Sequence, residues 1–137
     1  MSHSVTAQIR NIPVSAKQCI EIAKYLNKMN TIKAKKILEE TIALKHAIPF
    51  KTFNCDMGHR PGIASGRYPQ KAASFFLNLI KSAESNAEDN GLNVEQLQIT
   101  SILANRAPRR PSGGRVRGMA KRAHIQIELT ERAGDKQ

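Results

Sequence analysis

The stretch that decides the fold runs from residue 97 to residue 130 and reads LQITSILANRAPRRPSGGRVRGMAKRAHIQIELT. Its two ends, residues 97–104 and 124–130, are apolar or alternate between apolar and polar side chains, as half-buried strands do. Antiparallel pairing is the simplest arrangement for them. The connection between them, residues 105–123, is far longer than the roughly two to five residues of an ordinary hairpin loop. We therefore predict a β-hairpin whose two arms extend beyond the body.

This connection is strongly basic. Seven of the 22 lysines and arginines in the 137-residue chain lie between Asn105 and His124, where no acidic residue occurs, and the whole chain carries a net charge of +11. Such a charge predicts a polyanionic partner, either nucleic acid or an anionic membrane surface. Arginine forms bidentate contacts with phosphate, and the segment lacks the apolar anchors of a membrane-bound helix. We therefore favour nucleic acid, and we expect the partner to order the basic arm.

The chain before the hairpin predicts a strand followed by a helix. Apolar and polar residues alternate over residues 5–9, which indicates a strand with one buried face, and Pro13 closes it. Ser15 and Gln18 have the spacing of a capping box, in which each caps a backbone group of the other. The apolar residues behind them recur with helical spacing as far as about Lys28.

Two more helices are predicted, with a long loop between them. Asn30 precedes a lysine-rich helix that should end near His46. Residues 47–68 lose all periodicity and contain several prolines and glycines, which predicts a loop that is functional or bound to a partner. The third helix should have Pro69 as its first helical residue and Gly91 just beyond its C-terminal cap.

Together these elements predict an α+β fold, with a small antiparallel sheet packed against about three helices and a long extended β-hairpin with an arginine-rich tip. The length suits one domain with a real core. We divide the single domain, residues 1–137, into a globular body (5–104 and 124–131) and an extended basic hairpin tip (105–123).

The aromatic residues allow two interpretations. Phe50, Phe53 and Tyr68 lie in or beside the long loop, where they would either stack on exposed bases or anchor the loop to the body. With only six aromatic residues in the chain, anchoring is favoured. Phe75 and Phe76 are predicted to lie in the core.

The motifs in the sequence support neither a catalytic site nor a metal site. No histidine lies in a nucleophile-type motif, which argues against an enzyme. Cys55 and His59 have the spacing of half a zinc site, but a second pair of ligands is missing. Cys19 and Cys55 are expected to be free thiols rather than a disulfide. We predict no cofactor, no metal and no small-molecule substrate.

At this point the chain resembles a known family, the universal large-subunit ribosomal protein L-twenty-two family, called L-seventeen in eukaryotic cytosolic ribosomes. The loop over residues 48–68 matches the archaeal and eukaryotic branch, and the resemblance extends from about Val5 to Glu131. The residues that carry it are Lys33 to Leu38, Pro49 and Phe50, Gly66 to Ala73, Ile80 to Ala87, Asn105 to Arg110, and His124 to Glu131.

The resemblance implies a structural constituent of the large ribosomal subunit that binds large-subunit rRNA and supports translation and subunit assembly. It implies a cytoplasmic location within that subunit, neighbouring large-subunit ribosomal proteins as partners, and no membrane association. It also implies that the extended hairpin helps to line the exit tunnel and meets the nascent polypeptide there.

The expected rRNA-binding residues combine the hairpin with a weaker basic patch near the long loop. A free regulatory RNA-binding module and a remote enzyme remain as alternatives, although surface aromatics, a recognised RNA-binding motif and a catalytic constellation are all inconspicuous. The expected residues are Arg106, Arg109, Arg110, Arg115, Arg117, Lys121 and Arg122 from the hairpin, and Arg60, Arg67 and Lys71 from the patch.

Overall fold

The structure, a computed structural model, describes residues 3–115 and 117–132, which form the predicted α+β fold. The strands are β1 (Ser4–Ile12), β2 (Ile48–Pro49), β3 (His59–Arg60), β4 (Ala64–Arg67), β5 (Leu97–Arg106), β6 (Arg110–Pro111), β7 (Met119–Ala120) and β8 (Ala123–Glu131). The helices are α1 (Ala16–Leu26), α2 (Thr31–Ile42) and α3 (Gln70–Asp89), and a 3-10 turn covers Val94–Gln96.

The main sheet is antiparallel and has the strand order β1-β8-β5, so β8 is central. Val5 of β1 lies opposite Leu129 of β8, and Ile102 of β5 lies opposite Ile127. Successive side chains of a strand point to opposite faces, and Ile125, Ile127 and Leu129 are accordingly all buried. The predicted pairing of the last two long strands and the predicted alternation along β8 are confirmed.

The core lies between this sheet and the helices. Helices α1 and α3 pack against the sheet, and α2 packs against α3. Phe76 of α3 and Ile22 and Leu26 of α1 are fully buried there. Phe76 therefore lies in the core as predicted, whereas Phe75 packs against the core from a half-buried position.

The boundaries of α1 differ from the prediction in two details. Ser15 is the N-terminal cap, but its side chain accepts no capping hydrogen bond, so the predicted capping box with Gln18 is wrong. The helix ends at Leu26 rather than near Lys28. The physical reason is that Lys28 has a φ of 65°, a left-handed conformation that cannot continue a right-handed helix.

The other two helices show small shifts of the same kind. Helix α2 ends at Ile42, before the predicted His46, and Leu44 beyond it has a φ of 61°. Pro69 is the N-terminal cap of α3 rather than its first helical residue, because its ψ of 73° is not helical. Gly91, with a φ of 76°, follows the C-terminal cap as predicted.

Residues 47–68 are not the structureless loop that the prediction describes. They contain β2, β4 and β3, which form a second antiparallel sheet in that order. The strands have two to four residues, too short to show a periodic pattern in the sequence. Gly66 permits the close pairing, since a Cβ there would lie 3.0 Å from the carbonyl oxygen of Ile48.

Candidate nucleic-acid interface

The hairpin continues the β5–β8 ladder outward. The ladder extends to Arg106 opposite Ala123, and β6 pairs with β7 farther along the same two arms. The backbone N–H of Ser112 then donates to the carbonyl of Gly118 at 2.9 Å, so paired contacts extend well into the connection. The arms of the predicted hairpin are thus paired with each other. Val116, between them, lies outside the described residues.

The cationic side chains of this hairpin face water. Arg106, Arg109, Arg110, Arg115, Arg117 and Lys121 are exposed, and Arg122 is half-buried. Over residues 3–115 and 117–132, the structure contains one salt bridge, Lys35 to Glu84 at 2.8 Å on α2 and α3. No carboxylate of the described chain therefore neutralises the hairpin, and its positive charge is available to a partner.

Four of the predicted hairpin residues meet a fifth cation at the hairpin base. They line a cavity of about 260 Å³, which we call the base cavity. Its lining residues are Ser15, Ala16, Lys17, Arg106, Ala107, Arg109, Lys121 and Arg122. Lys17 belongs to the first turn of α1, which has no acidic residue there and no side-chain cap. Lys17 was not predicted, because only the folded chain brings residue 17 beside residues 106–122.

The hairpin base is fixed to the body. The backbone N–H of Ala107 donates to the carbonyl of Arg122 across the two arms at 3.1 Å, and Ala107 is buried. The Nη1 atom of Arg122 donates to the carbonyl of Asn11 at the end of β1, at 3.2 Å. These contacts define the position of the arm where it leaves the sheet.

A smaller cavity of about 190 Å³ adjoins the base cavity and shares Ser15, Lys17 and Lys121 with it. Arg67 of β4 also lines this space. The Nζ atom of Lys17 lies 5.6 Å from the ring centre of Phe53, a cation–π distance that holds the ammonium group near both cavities. One of the three predicted patch residues is therefore close to the hairpin base.

The other two patch residues have different surroundings. The Nε atom of Arg60 donates to the carbonyl of Gly66 at 2.9 Å, and its guanidinium carbon lies 4.9 Å from the ring centre of Tyr68. Lys71 is exposed in the first turn of α3. Arg60 thus contacts the second sheet and Tyr68, while Lys71 is exposed to solvent.

The aromatic contacts favour anchoring of the loop over base stacking. Phe50 is buried in the core, and Phe53 and Tyr68 are half-buried. Phe53 and Tyr68 each contact a cationic side chain of the chain itself, as described above for Lys17 and Arg60.

A buried carboxylate that the sequence did not reveal shapes the loop beside these cavities. Glu21 of α1 is 2 % exposed, and it accepts hydrogen bonds from the backbone N–H groups of Lys51, Thr52 and Phe53 at 2.9–3.0 Å. Burial alone would raise the pKa of Glu21, but these three donors and the charge of Lys24 outweigh it and lower the pKa. Glu21 therefore remains ionised at neutral pH and fixes the turn that carries Phe53.

The thiols offer no metal centre in the part of the chain that the structure describes. Cys19 and Cys55 are both free; Cys19 is buried, and burial raises its pKa to about 11. Cys55 is exposed. Among the described residues, no group of three or more histidine, cysteine or acidic side chains is arranged to hold a metal ion. In the same part of the chain, no helix has the length and apolarity needed to cross a membrane.

Comparison with known proteins adds an independent result. A profile of the family described as ribosomal protein L22p/L17e matches residues 7–130. A large ribosomal subunit protein uL22 from Methanoculleus marisnigri is 46% identical over 102 residues, covering 72% of this chain and 67% of the relative. Proteins of the same name from Methanococcoides burtonii and Anopheles gambiae are 41% and 36% identical, cover 88% and 96% of this chain, and are each covered over 76% of their own length.

Proposed function

The chain belongs to the ribosomal protein L22p/L17e family, and from this premise we propose that it binds large-subunit rRNA through its basic hairpin. It is a structural constituent of the large ribosomal subunit and not an enzyme. The protein is located in the cytoplasmic ribosome, where neighbouring ribosomal proteins are its further partners.

The observation that carries the rRNA proposal is the uncompensated charge of the hairpin. A protein that neutralises phosphates releases their counterions, and this release drives binding to RNA. The hairpin has seven cationic residues and no acidic one, and no described carboxylate pairs with it. Arg109, Arg110, Arg115 and Arg117 are the residues that we assign to backbone phosphates. The proposed interface also includes Arg106, Lys121 and Arg122 at the hairpin base and Arg67 and Lys71 on the body. Arg60, which is exposed, is part of it as well.

We further propose that the tip of the hairpin helps to line the tunnel through which the nascent polypeptide leaves the ribosome. This rests on the family resemblance and on the shape of the hairpin. A paired, two-stranded arm that begins at the edge of the core carries its outermost residues away from the body. The arm can therefore lie in folded RNA while the body remains outside it.

The first test separates a hairpin contribution from general charge. A variant with Arg109, Arg110, Arg115 and Arg117 all changed to serine should bind large-subunit rRNA more weakly in filter binding. Its slope of log K against log salt should fall by up to about 3.6, because each of four lost phosphate contacts removes roughly 0.7–0.9. The matched control changes Lys33, Lys36, Lys45 and Lys81, four exposed lysines of the body, to serine. Equal losses in both variants would contradict the hairpin assignment.

The second test places the chain in its particle. In a sucrose gradient of cell lysate, the wild-type chain should co-migrate with the large subunit and remain there through a high-salt wash. The four-arginine variant should be reduced in that fraction. Absence of the wild-type chain from the large subunit, even at low salt, would instead support a free RNA-binding module.

A further inference from the structure

We propose that the base cavity is a preformed binding site for one backbone phosphate of RNA, and that Lys17 of α1 is part of this phosphate site. The proposal deepens the function proposed above and rests on it. It differs by placing a defined contact on the body, at the root of the hairpin, using a helix residue that neither the charge pattern nor the hairpin topology identifies.

The charge of the cavity points to an anion. Five cationic residues line it: Lys17 from α1, and Arg106, Arg109, Lys121 and Arg122 from both arms of the hairpin. No acidic residue lines it. Cations brought together from separate segments repel one another, so their grouping is more stable when an anion lies between them.

The backbone of α1 adds donors on the same side. The first N–H groups of a helix have no partner within the helix, and here neither the Ser15 side chain nor an acidic residue of the first turn satisfies them. A lysine at this position also interacts unfavourably with the helix dipole. A phosphate beside Lys17 would accept hydrogen bonds from these N–H groups and would offset the unfavourable interaction of Lys17 with the helix dipole. The helix end supports the proposal, and the five-cation cavity carries it.

The cavity is already formed in the free chain. Ala107 is buried, and Arg122 is hydrogen-bonded to the end of β1, so the hairpin root is held against the body. Phe53 holds the ammonium group of Lys17 by a cation–π contact. Because the groups are in place before binding, less ordering is required when the phosphate enters. A bound phosphate would bridge α1 and the hairpin and fix the direction in which the arm leaves the body.

The test compares two lysines in similar positions near the start of a helix. Lys17 lies in the first turn of α1, and Lys33 lies in the first turn of α2; neither helix has a side-chain cap or a first-turn acid. Lys33 lines neither the base cavity nor the cavity beside it. The variants Lys17→Ser and Lys33→Ser therefore lose the same charge from similar helix positions. The probe is an rRNA fragment that the wild-type chain binds, measured by filter binding between 50 mM and 200 mM salt.

We expect Lys17→Ser to lower the salt slope by about 0.7–0.9 and to weaken binding about fivefold at 0.15 M salt, the effect of one phosphate contact. Lys33→Ser should leave both values unchanged. The thermal midpoint of free Lys17→Ser should be equal to or above that of the wild type, which excludes misfolding as the cause. If Lys17→Ser binds RNA like the wild type while the four-arginine variant binds more weakly, the phosphate site is wrong and the hairpin function stands. If Lys17→Ser and the four-arginine variant both bind RNA like the wild type, both proposals fail. Equal losses of RNA affinity for Lys17→Ser and Lys33→Ser would show general charge attraction and would overturn the phosphate site.

Discussion

Strands β5 and β8 form one continuous ladder, yet its inner and outer parts have opposite characters. In the inner part, Ile99 and Ile102 of β5 and Ile127 of β8 are buried in the core. Beyond Arg106 and Ala123 the same two arms carry exposed arginines, and among their described residues Ala107 is the buried one. Backbone pairing is common to both parts. The side chains alone decide which part stabilises the fold and which part remains exposed to a partner.

The largest effect should come from the core side of this comparison. Phe76→Ala should destabilise the body by about 3–5 kcal/mol, because it removes a large side chain with no exposed surface. Urea unfolding measures the change in the free energy of unfolding. A midpoint equal to that of the wild type would show that α3 does not support the sheet.

Adjacent residues of β5 sharpen the comparison within one strand. Ile102 is 9% exposed, whereas Leu103, the next residue, is 53% exposed on the opposite face of the sheet. Ile102→Ala should cost about 2–5 kcal/mol, and Leu103→Ala less than about 0.5 kcal/mol. The same unfolding experiment compares them. Similar costs at both positions would place the strand in a different register.

Glu21 should give an intermediate effect that depends on pH. Glu21→Gln should destabilise the chain by about 1–3 kcal/mol at pH 7, because the amide replaces a carboxylate that accepts three backbone hydrogen bonds. The pKa of Glu21 is lower in the folded chain than its ordinary value, so its ionised form stabilises the fold at neutral pH. That contribution should be lost as the pH falls from the ordinary value through the lowered pKa. Urea unfolding at neutral and acidic pH tests this, and a gap between wild type and variant that does not narrow in acid would contradict it.

The smallest effect on stability should come from the arm. Arg110 is exposed and has no carboxylate partner among the described residues. Arg110→Ala should change the free energy of unfolding by less than about 0.5 kcal/mol. It should still lower the salt slope of rRNA binding by about 0.7–0.9. Substantial destabilisation would mean that the arm is part of the core, and the contrast between the two parts of the ladder would not hold.

The sequence was sufficient for features that depend on local pattern. The alternation around Ile125 and Ile127, and the position of Gly91 after α3, are visible in the chain and agree with the structure. The second sheet was missed because strands as short as β2 and β3 have no detectable period. The capping box was wrong because the spacing of Ser15 and Gln18 permits a hydrogen bond without requiring one.

The candidate site was predictable to the extent that charge clusters in the chain. The hairpin arginines lie close enough together in the sequence to be recognised as a basic cluster. Lys17 lies about 90 residues before them, and only the packing of α1 beside the hairpin root brings it to the same cavity. Glu21 was missed for a similar reason, since its three donors lie at residues 51–53.

The central position of β8 has a consequence for the order in which the chain can fold. Among the described strands, β1 pairs with β8 alone, and the pairing of Val5 with Leu129 closes a loop of more than one hundred residues. During synthesis, β1 therefore has no partner in the main sheet until residue 123 and beyond have been made. Such distant pairings form late and slowly. The whole basic arm, residues 105–122, is therefore synthesised before the strand that completes the main sheet.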